Sequence, residues 1–169
     1  MGILKIILKI SLIIMIIIAI LVVAGITFFK YKSTYYYKFT NTEQPIEQQY
    51  TALGEYEVSF EEFEADDETI KKHEIWYPSK LESSDSKYPI VVVANGTGIP
   101  ASSYPSFFKH LASWGFIVVG NEDENSRTGA SSESSLMYLL ELSADSNSVF
   151  YGKVDTDHIG IGGHSQGGV

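Results

Sequence analysis

Ile159-Gly160-Ile161-Gly162-Gly163-His164-Ser165-Gln166-Gly167-Gly168 runs from a short apolar segment straight into a bend of small residues. Within it, Gly163, His164, Ser165, Gln166 and Gly167 spell G-x-S-x-G. A serine at a sharp strand-to-helix turn sits in a strained backbone conformation, and its hydroxyl projects from the end of the strand. Only small residues two places before and two after it clear the neighbouring strand and helix, which is the spacing of Gly163 and Gly167. The backbone N–H of Gln166, at the start of the next helix, then faces the oxygen that gains charge when Ser165 attacks a carbonyl carbon. The competing reading is a glycine-rich phosphate loop. It fails because the segment lacks both G-x-x-x-x-G-K-[ST] and G-x-G-x-x-G. His164 is expected to point away from the serine, into the fold, and is not read as a catalytic base.

The residues upstream supply the context that such a bend requires. Pro89 to Ala94 is continuously apolar, the pattern of a strand covered on both faces, and it stops at the turn Asn95-Gly96-Thr97-Gly98. A helix follows, with Ser102 or Ser103 as its cap and Pro105 in its first turn. Tyr104, Phe107, Phe108, Leu111 and Trp114 form its apolar stripe. Gly115 ends this helix, and Phe116 to Gly120 reads as a second buried strand. Leu136, Leu139 and Leu140 mark a second helix, and Ile159 to Gly162 a final short strand. Strand–helix–strand–helix–strand implies a parallel sheet with right-handed crossovers. Two more amphipathic strands lead in, from about Glu55 and from about Lys72 to Tyr77, and are expected to pair antiparallel at an edge. Between them the acidic run Glu61, Glu62, Glu64, Asp66, Asp67, Glu68 reads as a solvated turn in preference to a calcium site. His73 is read as a surface strand residue and His158 as structural. Glu122, Asp123 and Glu124 fall near the carboxyl ends of the strands, where ligands bind in such sheets, although a solvated loop is the simpler reading.

On these motifs the chain resembles the α/β-hydrolase fold family, and within it the branch of chlorophyllase-, dienelactone-hydrolase- and polyester-hydrolase-like enzymes. The resemblance runs from about Glu74 to Val169. It is carried by His73-Glu-Ile-Trp-Tyr-Pro78, by Tyr88-Pro-Ile-Val-Val-Val-Ala-Asn-Gly-Thr-Gly98, by Leu111-Ala-Ser-Trp-Gly-Phe-Ile-Val-Val119, and above all by Val154-Asp-Thr-Asp-His-Ile-Gly-Ile-Gly-Gly-His-Ser-Gln-Gly-Gly168. It implies a serine hydrolase acting on carboxylic esters of small-molecule or lipid-like type, with Ser165 as nucleophile and no metal or organic cofactor. It also implies a second oxyanion donor in the loop after the third strand, by position the N–H of Thr97. Related polyester-degrading enzymes often carry an aromatic residue there, so no aromatic polymer substrate is inferred. In this fold the acid and the histidine of the triad follow the serine, and only four residues follow Ser165 here. The expectation is an N-terminal fragment of an α/β-hydrolase, cut just past its elbow and inactive as it stands. The alternative is a non-catalytic, membrane-tethered binding module of the same fold.

The N-terminus is a different polymer. Ile10 to Phe29 is an uncharged run of 20 residues, long enough as a helix to span about 30 Å of hydrocarbon. A cleaved signal peptide has a shorter apolar region, and a core helix is rarely apolar on every face, so the run is read as a single uncleaved membrane anchor. Lys5 and Lys9 before it and Lys30, Lys32 and Lys38 after it do not orient it. Export of the following domain is the ordinary outcome for an N-terminal anchor. The organisation expected is an anchor over 1–30, a linker over 31–50, in which Tyr35, Tyr36 and Tyr37 suit a membrane interface, and a partial hydrolase domain over 51–169.

Composition sets the outer limits. Of 12 basic and 21 acidic residues, only Lys5, Lys9 and Lys30 lie in the first 30 positions, leaving a formal charge of −12 on the remainder. Nucleic-acid phosphates would be repelled by that charge, so no nucleic-acid partner is expected. The absence of cysteine excludes disulfides, thiolate metal sites, a cysteine nucleophile and a lipoprotein's cysteine-linked lipid.

Overall fold

The computed structural model describes residues 2–35 and 43–169. Tyr36, Tyr37, Lys38, Thr40, Asn41 and Thr42 lie outside the described residues. The chain divides into two compact units between Phe39 and Thr40.

The first unit is one helix, α1 (Gly2–Tyr35). Its stretch Lys5–Tyr31, 27 residues, is long and apolar enough to cross a membrane. Its large apolar side chains are exposed, which is not how a core helix is placed. The Thr27 hydroxyl donates to the Val23 carbonyl at 2.8 Å, so this polar group is satisfied within the helix.

The second unit is an α/β sheet with a helix on each face. A short helix α2 (Pro45–Thr51) lies in the stretch read as a linker. The strands are β1 (Val58–Glu64), β2 (Lys72–Pro78), β3 (Tyr88–Ala94), β4 (Ile117–Asn121) and β5 (Val154–Gly163), in the order β1-β2-β4-β3-β5. β1, β2 and β4 pair antiparallel, whereas β4, β3 and β5 run parallel, with Val91 opposite Val118 and Val92 opposite Ile161. Helix α3 (Pro105–Ser113) covers one face and α4 (Ala130–Ala144) the other. The continuous apolar runs divide between these faces by the two-residue period of a strand. Val93 and Val118 pack with Phe108 and Ala112, while Ile90, Val92, Ile117 and Val119 pack with Leu139 and Phe150.

Several local expectations are corrected. β1 begins at Val58 rather than Glu55 and continues through Glu64, so half of the acidic run belongs to the strand. Asp67 accepts the N–H groups of Thr69 and Ile70 at 2.8 and 3.0 Å, and these bonds hold its carboxyl below the usual range. Neither Ser102 nor Ser103 caps α3. Both lie in a separate 3-10 turn, Ala101–Ser103, and Tyr104 stands at the N-cap without a side-chain cap bond. Within the apolar stripe Phe107 is 47 % exposed, whereas Phe108 is completely buried between α3 and the sheet. Phe108→Ala is therefore expected to cost about 3–5 kcal/mol in urea denaturation and Phe107→Ala less than about 1 kcal/mol.

His73 is not a surface residue. It is 4 % exposed, its ring stacks on Tyr138 at 4.6 Å, and its Nδ1 lies 3.1 Å from the Ser135 hydroxyl. Burial lowers its pKa, partly opposed by the charge of Asp67. Its neighbour Glu74 is also buried, because β2 is flanked by β1 and β4.

Candidate active site

β5 ends at the elbow because β3 ends beside it. The last pair of the ladder sets Ala94 opposite Gly163, and the Ala94 carbonyl next accepts the His164 N–H at 3.1 Å. The chain then reverses through a 3-10 turn, Ser165–Gly168, closed by the Gly167 N–H donating to the His164 carbonyl at 3.0 Å. Ser165 is the first residue of this turn and Gln166 the second. Ser165 has φ +54°, a left-handed conformation that non-glycine residues seldom adopt.

The flanking glycines explain how the turn holds that conformation. A Cβ at Gly163 would overlap the Gly167 carbonyl. A Cβ at Gly167 would lie 2.5 Å from the Ala94 carbonyl oxygen and 2.7 Å from that of Asn95. Backbone therefore packs directly on backbone at both positions, and the bend cannot open without losing these contacts. Ser165 is exposed, and among the described residues its hydroxyl has no hydrogen-bond partner.

The loop after β3 meets the elbow. Its amides are occupied in order. The Gly96 N–H donates to the Tyr104 hydroxyl at 3.1 Å, the Gly98 N–H to the Glu124 carbonyl at 3.0 Å, and the Ile99 N–H to the Gly96 carbonyl at 3.1 Å. The Thr97 N–H has no partner among the described residues. The Gln166 side chain, mostly buried, donates to the same Glu124 carbonyl at 3.3 Å. One carbonyl thus holds the loop of Thr97 to the turn of Gln166. Sequence reading placed Glu122, Asp123 and Glu124 near the site but missed that the backbone of Glu124 makes this junction.

Behind the elbow lies a buried polar network that no motif announced. Asn95 Nδ2 donates to the carbonyls of Asn121 and Asp123, each at 2.7 Å. Asn121 Nδ2 donates to the Ser131 carbonyl at 2.8 Å and to the Ser135 hydroxyl at 2.7 Å, and Ser135 reaches His73. These bonds tie the carboxyl ends of β3 and β4 to α4. The available signal was Asn95 and Asn121, each set directly after an apolar run.

Glu122 anchors the far end of the same loop. Its carboxylate accepts the N–H and the hydroxyl of Ser102, each at 2.9 Å. It also shares a hydrogen bond with Glu74, which is 2 % exposed. Burial, that shared bond and repulsion by Glu122 push the Glu74 carboxyl up to about 7, while Trp76 and Lys72 pull the other way. The folded state thus holds a proton that the unfolded chain releases near 4.5. This contribution to stability is complete below pH 4.5 and is lost as pH rises to 7, about 2–3 kcal/mol in all. Glu74→Gln, which keeps a donor toward Glu122, is expected to remove that slope in urea denaturation at pH 5 and pH 8.

The four histidines are dispersed. His73 is buried with Ser135, and His110 is half-buried on α3. His158 bonds the Asp155 carboxylate at 2.8 Å, and that bond, ahead of other effects, lowers the Asp155 pKa. His164 bonds the Tyr104 hydroxyl, with Nδ1 2.9 Å from it, but stays exposed instead of entering the fold as the sequence suggested. Among the described residues no group of three or more His, Cys, Asp or Glu is placed to hold a metal ion.

Comparison with curated proteins finds no match. A family model described as PET hydrolase-like matches residues 41–169, which takes in the whole sheet, the loop of Thr97 and the elbow. By that match the chain belongs to the PET hydrolase-like family, hydrolases of the α/β fold, in agreement with the polyester-hydrolase-like motifs of its sequence.

Proposed function

We infer that this chain is the nucleophile-bearing part of a serine hydrolase that cleaves carboxylic esters. The observation that carries the reading is Ser165 at φ +54°, exposed on a turn whose flanking glycines leave no room for a side chain. In the proposed reaction Ser165 Oγ forms a bond to the ester carbonyl carbon as its proton passes to a base. The N–H groups of Gln166 and Thr97 stabilise the resulting oxyanion. The bond to the alcohol oxygen then breaks, the alcohol leaves with the proton, and water releases the acid from the acyl-enzyme. No metal or organic cofactor takes part. The substrate is a small-molecule or lipid-like ester, and nucleic acid is not a partner.

The base is not among the four histidines, so these 169 residues by themselves are proposed to turn over esters negligibly. Residues 10–29 are proposed to anchor the protein in a membrane as a single pass, with the hydrolase domain, residues 51–169, on the extracytoplasmic side of that membrane, joined to the anchor by a linker over 31–50. A fluorophosphonate probe tests the central claim. In the full-length protein it is expected to label Ser165 covalently. A well-folded protein that resists labelling would instead be the non-catalytic, membrane-tethered module of the same fold.

A further inference from the structure

Tyr104 stands at the start of α3, distant in sequence from the elbow, yet its hydroxyl touches both sides of the oxyanion site. It accepts the Gly96 N–H at 3.1 Å and lies 2.9 Å from His164 Nδ1. The phenol oxygen takes the Gly96 N–H on one lone pair. Its bond to His164 Nδ1 is donated by the hydroxyl when that nitrogen is bare and accepted by the oxygen when that nitrogen carries the proton, so the bridge forms with either tautomer. The edge of the His164 ring meets the Tyr104 ring at 5.7 Å and 74°. The space is closed: a Cβ on Gly96 would lie 2.5 Å from His164 Nδ1 and 3.3 Å from the Tyr104 oxygen. Gly96 and His164 are the immediate chain neighbours of Thr97 and Ser165.

We propose that Tyr104 is a positioning residue that sets the Thr97 N–H against the Ser165 turn by bridging Gly96 to His164. The inference rests on the ester-hydrolase reading above. The peptide that joins Gly96 to Thr97 has its carbonyl held by the Ile99 N–H at 3.1 Å. A trans peptide directs its N–H opposite to its C=O, so fixing that carbonyl fixes the direction of the Thr97 N–H. The Tyr104 hydroxyl holds the preceding peptide by its N–H, so the plane of the donor is held on both sides. His164 carries the same constraint to the residue before the nucleophile. Without the hydroxyl, Gly96 N–H and His164 Nδ1 lose their shared partner, and among the described residues the hydrogen bonds left between the Thr97 loop and the Ser165 turn run through the Glu124 carbonyl.

The test is Tyr104→Phe in the full-length protein, with a p-nitrophenyl ester and its thionoester as probes. Replacing the carbonyl oxygen with sulfur weakens the hydrogen bonds that an oxyanion hole makes, so the ester-to-thionoester rate ratio reports on donor placement. The variant is expected to lose about tenfold or more in kcat with KM changed less than about threefold, and the ratio is expected to fall several-fold. The ratio does not depend on how much of the variant is folded, so it remains decisive if the yield of folded protein drops. A wild-type ratio in the variant overturns the role of Tyr104 even if kcat falls. Wild-type protein that a fluorophosphonate does not label at Ser165 overturns the underlying hydrolase reading instead, and the two failures are told apart by that measurement.

Discussion

Ser165→Ala in the full-length protein is expected to abolish fluorophosphonate labelling and to lower kcat/KM for an aryl ester by about four orders of magnitude or more. The residue is exposed and its hydroxyl bonds nothing among the described residues, so its loss should leave stability close to that of the parent. Alanine also retains the Cβ whose left-handed conformation the turn already tolerates at this position. The expected signature is therefore a severe loss of rate with an almost unchanged melting curve. Retention of more than about a tenth of the activity would remove Ser165 from the role of nucleophile.

Gly163→Ala is expected to cost more than about a hundredfold in activity, while Gly162→Ala, one residue earlier on the same strand, leaves activity within about twofold. The two positions differ in what a methyl group would meet. At Gly163 it overlaps the backbone carbonyl of Gly167, which has no flexible end to swing aside, so the turn must open and carry Ser165 with it. At Gly162 nothing among the described residues lies within 4 Å. Parallel ester-hydrolysis assays and thermal melts of the two variants check the contrast. Equal behaviour would mean that the elbow does not depend on close backbone contact between Gly163 and Gly167.

Both predictions start from a pentapeptide that is readable without a structure. Small residues two places to either side of a serine are what a bend requires where backbone must pack directly on backbone, so the spacing can be recognised before the contacts are seen. The alternation of elements was accessible for a related reason. A strand covered on both faces must be apolar at consecutive positions, and a helix on a sheet must repeat its apolar positions every three to four residues. The runs ending at Ala94 and Val119 satisfy the first condition. The second was met only in part, since Phe107 shares the stripe of Phe108 yet faces outward.

What the linear chain could not reveal depends on which elements become neighbours. His73 and Glu74 sit with Lys72 in the polar first half of β2, which reads as a solvated strand end. They are buried because β2 is inserted between β1 and β4 instead of lying at the margin, and because α4 closes over His73. Ile159 and Ile161 stand 44 % and 71 % exposed on β5, which pairs only with β3 among the described strands. The bridge from Gly96 through Tyr104 to His164 joins residues far apart in sequence, as does the Glu124 carbonyl shared by Gly98 and Gln166. The pentapeptide thus marks the bend that carries Ser165, whereas the burial and proton affinity of His73 and Glu74 arise only once β2 lies between β1 and β4, and the bonds between the Thr97 loop and the Ser165 turn only once β3 and β5 lie side by side.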